Sequence, residues 1–127
     1  MTNLRTPLRT VRGLGSAKDG TTHFWLTRVS GLALVPLTLF AIGLVFSLIG
    51  KDQASVQAVI GRPLVAIPLI LFVVISVEHM RLGIQETIMD YVHGELLKVL
   101  TLVANTAFCL VLGAAAVFSI LIIAFGA

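Results

Sequence analysis

Pro63-Leu64-Val65-Ala66-Ile67-Pro68-Leu69-Ile70-Leu71-Phe72-Val73-Val74-Ile75-Ser76-Val77-Glu78-His79-Met80-Arg81-Leu82-Gly83-Ile84-Gln85-Glu86-Thr87-Ile88 is the stretch whose reading decides the fold. Its first 15 residues carry no charge. Fifteen residues are too few to cross a bilayer, which takes roughly 20 at about 1.5 Å each. The run reaches spanning length only if it continues through Glu78 and His79 to about Ile88. Ionisable groups at membrane depth are expensive, and they mark a functional site by default. The reading therefore makes this segment a membrane helix and places His79 at the centre of whatever the chain does.

The segments on either side agree. Val29 to Gly50 has no charge in 22 residues, and Val99 to Ala127 has none in 29. Over all 127 residues the chain is 57% hydrophobic and 12% charged, the latter about half the usual share for a soluble domain. Its mean hydropathy is +1.04. These values predict an all-α membrane protein with three transmembrane helices in one small domain. A basic tail covers 1–22, and a transmembrane anchor domain covers 23–127 with helices at about 23–50, 63–89 and 97–126. Thr21 and Thr22 suit a helix start. Pro36 falls inside the first helix and should kink it. Pro63 suits the first turn of the second. Three helices make a thin bundle, and the small residues Ser30, Gly31, Ala33, Ala104, Ala107 and Gly113 let membrane helices approach closely. An obligate partner subunit is expected.

Charge sets the expected orientation. The tail with Arg28 holds five Lys/Arg, and Arg81 and Lys98 flank the second connection. The first connection has only Lys51 and Arg62. The positive-inside rule puts the N-terminus and the second connection in the cytoplasm or matrix. The basic, acid-poor tail also fits an organellar transit peptide, but it leads straight into the first span, which favours a cytoplasmic tail. No cleavable signal peptide is expected. A bacterial inner membrane is the expected location, ahead of the mitochondrial inner membrane.

Several chemistries have no support. There is no phosphate-binding glycine loop, no nucleophile elbow and no thiol pair; Cys109 is the lone cysteine and reads as a small buried residue. The basic residues favour anionic lipid or a partner protein over nucleic acid.

His79 has two readings, a haem ligand or a histidine hydrogen-bonded to a neighbouring helix. Only one ligand candidate sits at this depth, so a bis-histidine site needs a second histidine from another subunit. Gly83, one turn on, leaves room for a flat macrocycle. Tyr91 lies roughly 18 Å further along a continuous helix. There it serves either as a hydrogen-bond donor to a lipid-soluble carbonyl compound or as an interfacial aromatic anchor. Asp90 reads as a group that orients a partner or relays protons, or as a solvated helix end. Arg28 either snorkels at the interface or binds a cofactor carboxylate. Glu78 and Arg81, three residues apart, are expected to pair. His23 reads as an interface residue, Glu86 as solvated and His93 as an exposed loop histidine.

His79-Met80-Arg81-Leu82-Gly83-Ile84-Gln85 followed by Asp90-Tyr91-Val92-His93-Gly94 resembles the D-type hydrophobic membrane anchor of succinate dehydrogenase, respiratory complex II. Gly20-Thr21-Thr22-His23-Phe24-Trp25 through Arg28 resembles that family's entry to helix 1. Length and three spans also match, so the resemblance covers most of the chain. It implies that His79 is an axial ligand of haem b, shared with a histidine of a C-type cytochrome b anchor subunit. It implies that Tyr91 hydrogen-bonds ubiquinone with Asp90 beside it, and that Arg28 lies near the haem propionates. Implied partners are the C-type anchor, the iron–sulfur subunit and the FAD-bearing flavoprotein subunit. The implied function is to tether that dehydrogenase and to carry electrons from succinate to ubiquinone in the tricarboxylic acid cycle, with succinate itself oxidised elsewhere. The rivals are a fumarate reductase anchor, a purely structural anchor, and a small oligomeric proton-coupled transporter or channel using Glu78 and His79.

Overall fold

A computed structural model of the chain describes residues 6–13 and 19–126. Within the basic tail, the cations Arg5 and Lys18 lie outside the described residues. Among the described residues five helices follow in order: α1 (Pro7–Val11), α2 (Asp19–Leu48), α3 (Gln53–Ile60), α4 (Pro63–Tyr91) and α5 (Glu95–Phe125). Three of them, α2, α4 and α5, are long and apolar enough to cross a membrane. At 29 to 31 residues each runs about 44–46 Å, well beyond a hydrocarbon core of about 30 Å.

The helix limits depart from expectation in several places. α2 begins at Asp19 rather than His23, so the proposed start at Thr21-Thr22 falls inside it. The connection between the first two spans, outside the three expected helices, folds as α3. Ser55 donates a 2.6 Å hydrogen bond to the Asp52 carboxylate at the head of α3, which holds that carboxyl below its ordinary range. α4 starts at Pro63, whose missing N–H costs nothing in a first turn. It continues through Asp90 and Tyr91, which were assigned to the connection. No glycine or proline intervenes after Gly83, and the chain leaves the helix only at Val92. α5 starts at Glu95 and ends at Gly126, whose φ of 69° closes the helix in a left-handed cap that favours glycine.

α4 is the middle element, packed against α2 on one side and α5 on the other. Its pairings with α2 (Ser30 to His79, His23 to Glu86) and with α5 (Arg81 to Asn105, Met89 to Lys98) run in opposite chain directions, so both pairs are antiparallel. The start of α2, the end of α4 and the start of α5 therefore share one end of the bundle.

Few side chains are buried. Leu82 and Cys109 are sealed at 1% and 0% exposure, with Ala66, Ile120 and the polar Asn105 nearly so. Leu32, Phe46 and Val111 stand 70% or more exposed. Such wide apolar surface suits lipid or partner helices rather than water. Close approach is bought by glycine at two contacts. A Cβ on Gly113 of α5 would stand 3.3 Å from Val77 of α4, and one on Gly31 of α2 would stand 3.3 Å from the His79 ring. A polar clasp adds to the α4–α5 contact: Asn105 Nδ2 donates to the Arg81 carbonyl at 3.0 Å and the Cys109 thiol donates to Asn105 Oδ1 at 3.5 Å. Cys109 is thus buried as expected, whereas Asn105 carries a role that sequence reading missed.

Candidate functional site

His79 projects from α4 toward α2, where two small residues receive it. Gly31 leaves space beside the ring, and Ser30 Oγ lies 2.9 Å from His79 Nδ1. Ser30 also donates to the Thr27 carbonyl at 3.1 Å. Among the described residues His79 Nε2 has no hydrogen-bond partner, and it is not among the sealed polar atoms.

Nearer the shared end, His23 Nδ1 of α2 meets Glu86 Oε1 of α4 at 3.0 Å. Glu86 stays exposed, as expected of a solvated acid, and the pairing across helices with His23 is an addition to both readings. Helical geometry explains it: Glu86 is seven residues from His79 and so lies within roughly 20° of it on the same face. His23 Nε2 is buried with no partner. Arg28 lies over the Phe24 ring, 5.3 Å from its centroid, a cation–π contact that steadies the guanidinium without neutralising it. Phe24 in turn meets Trp25 edge to face at 5.9 Å.

These groups line one open cleft of about 1030 Å³ between α2 and α4, with His23, Arg28, Gly31, His79, Glu86 and Met89 on its walls. That is at the upper end of ligand pockets, about 300–1,000 Å³. Gly83 leaves open space one turn from His79, as expected of a residue without a side chain there. Among the described residues no three His, Cys, Asp or Glu side chains cluster as a metal-ion site. The cleft therefore offers the unpartnered Nε2 of His79, the orphaned Nε2 of His23 and the Arg28 cation, but no cluster of three such side chains among the described residues that could hold a bare ion.

Tyr91 and Asp90 do not line the cleft. Both are exposed at the last turn of α4, Tyr91 at 77%. Asp90 falls within roughly 20° of His79 on the helix and Tyr91 roughly 120° away. Glu78 and Arg81 pair as expected, with Arg81 Nε donating to Glu78 Oε2 at 2.9 Å and Nη2 to Oε1. His93 is exposed, its Nδ1 3.1 Å from the Tyr91 carbonyl. Lys98 folds back to the Met89 carbonyl at 3.4 Å, placing a cation at the negative end of α4.

A family profile described as "Succinate dehydrogenase/Fumarate reductase transmembrane subunit" matches residues 2–122. The chain belongs to that family. It is 39% identical over 89 residues to the succinate dehydrogenase hydrophobic membrane anchor subunit of Paracoccus denitrificans, covering 70% of this chain and 69% of the relative. The anchor subunit of the same description from Rickettsia bellii is 32% identical over 109 residues, 84% of this chain and 85% of the relative. The succinate dehydrogenase membrane anchor subunit of Reclinomonas americana is 31% identical over 88 residues, 67% of this chain and 73% of the relative. No solved structure matches. The chain is thus a membrane anchor subunit of the succinate dehydrogenase/fumarate reductase family, and its three long apolar helices are the anchor.

Proposed function

We propose that this chain is the D-type anchor of a succinate:quinone oxidoreductase, in which His79 would ligate the iron of haem b and Arg28 would bind a haem carboxylate. The observation that carries the reading is the His79 imidazole, whose Nδ1 is held by Ser30 while Nε2 has no partner, on the wall of a cleft shared with Arg28. One nitrogen is a poor site for a bare ion, which needs about four ligands. It suits a metal whose macrocycle already fills the equatorial positions. Gly83, with open space where a side chain would stand, fits a flat group one turn from His79, and the orphaned His23 Nε2 fits a polar substituent at the shared end.

Haem b, when bound, supplies a one-electron carrier. The chain's own contributions are positional. His79 presents its nitrogen at depth, and a C-type partner anchor supplies the second histidine. Arg28 meets carboxylate charge that would otherwise be unpaired in a low-dielectric region. Tyr91 and Asp90, exposed at the end of α4, stand where partner subunits can complete a ubiquinone pocket. There the Tyr91 hydroxyl donates to a quinone carbonyl and Asp90 handles the accompanying proton. The start of α2 and the α4–α5 connection share an end of the bundle, and the tail sequence, Arg28, Arg81 and Lys98 hold seven of the nine Lys/Arg, which supports placing that end in the cytoplasm against the iron–sulfur and flavoprotein subunits. Glu78 is tied to Arg81 through two hydrogen bonds, which counts against its use as the acid of a proton-coupled transporter.

The test is His79→Ala in the assembled complex, with haem measured by pyridine haemochrome against protein. The expected result is loss of haem b with this chain still in the membrane. Haem at the wild-type ratio would remove His79 from the ligand set.

A further inference from the structure

From the hydrogen bonds around His79 we infer that Ser30 is a positioning residue that fixes the tautomer of His79 and so bares Nε2 toward the cleft. The inference rests on the reading of His79 as a ligand and extends it to a residue on another helix. A serine hydroxyl has one proton to give. Ser30 Oγ has two neighbours, the Thr27 carbonyl at 3.1 Å and His79 Nδ1 at 2.9 Å. The carbonyl can only accept, so the hydroxyl proton goes there. Satisfying both contacts then requires His79 Nδ1 to carry the proton and donate it to Ser30 Oγ. A neutral imidazole has one N–H, so Nε2 is left with its lone pair.

The opposite arrangement, Ser30 donating to Nδ1, would put the ring proton on Nε2 and block ligation. It would also leave the Ser30–Thr27 contact without a proton. Gly31, next to Ser30, lets the ring sit this close to α2, since a Cβ there would lie 3.3 Å from His79 Cε1. Ligating histidines commonly rely on such a partner at the far nitrogen, and its loss typically costs about 10- to 100-fold in metal affinity.

The experiment compares Ser30→Ala, Ser30→Cys and Ser30→Thr with wild type and His79→Ala in the purified complex. It reads the rate of haem transfer to apomyoglobin and the low-spin ferric EPR signal, neither of which is turnover. Ser30→Ala should release haem about 10-fold faster or more and shift the low-field EPR feature. Ser30→Thr, which keeps the hydroxyl, should stay within about threefold of wild type. Ser30→Cys, nearly isosteric with a weak acceptor, should fall between, and it carries the test if the alanine variant does not assemble. Where His79→Ala abolishes haem but Ser30→Ala and Ser30→Cys keep the wild-type transfer rate and EPR signal, the tautomer role is overturned and the ligand reading stands. Where His79→Ala retains full haem, both are overturned.

Discussion

Asn105→Ala should loosen α5 from α4, and the lone cysteine provides the probe. Asn105 is 6% exposed and donates to a backbone carbonyl of the neighbouring helix, while its own oxygen accepts from Cys109, which is fully sealed. Interhelical hydrogen bonds within membranes average about 0.6 kcal/mol and reach about 1.7. At 1.4 kcal/mol per decade, that range makes the locally opened state about 3- to 20-fold more populated. Cys109 reacts only when that contact opens, so its alkylation by a membrane-permeant maleimide should accelerate by the same factor. The assay follows modification of this chain by mass spectrometry at fixed pH, normalised to the rate in SDS to remove intrinsic reactivity. Asn105→Leu separates the hydrogen bond from the void, because it fills the space without restoring the donor; it should also label faster, by a smaller factor. Labelling of both variants within twofold of wild type would refute the clasp, leaving Asn105 as a space-filling side chain.

Tyr91→Phe should lower ubiquinone reduction severalfold while succinate oxidation by an artificial acceptor holds at the wild-type rate. The residue is 77% exposed, so its change in stability should stay within about 0.5 kcal/mol; equal quinone activity would make Tyr91 an interfacial anchor alone. Gly31→Ala puts a methyl 3.3 Å from His79 Cε1, and overpacking of that kind costs about 1–3 kcal/mol. It should disturb the His79 ring and with it the ferric haem EPR signal, and an unchanged spectrum would show slack between α2 and α4 at this level.

Hydropathy made the three spans legible, because charge-free runs of 22 and 29 residues admit no other reading and the interrupted run at Pro63 needs His79 inside it. Helix propensity left the ends less legible. Asp90 and Tyr91 extend α4 because no glycine or proline intervenes before Gly94, and the tail's Asp19 to Thr22 join α2. His79 and Arg28 stood out as ionisable groups at or near membrane depth, and α2 and α4 bring both onto one cleft. Glu78 and Arg81 were legible because their pairing is local to one helix.

The illegible contacts are those that depend on register between helices. Ser30 meets His79 across 49 positions and Asn105 meets Arg81 across 24. Nothing in either local sequence names the partner: Ser30 counts as a small residue in an apolar helix, and Asn105 as one polar side chain in the most hydrophobic segment. The same physics makes both informative afterwards. A hydroxyl or amide in a spanning helix has no water to fall back on, so it must bond to its own helix or to a neighbour. Ser30 does both at once, and that double demand on a single proton is what turns an ordinary small residue into a constraint on the chemistry of His79.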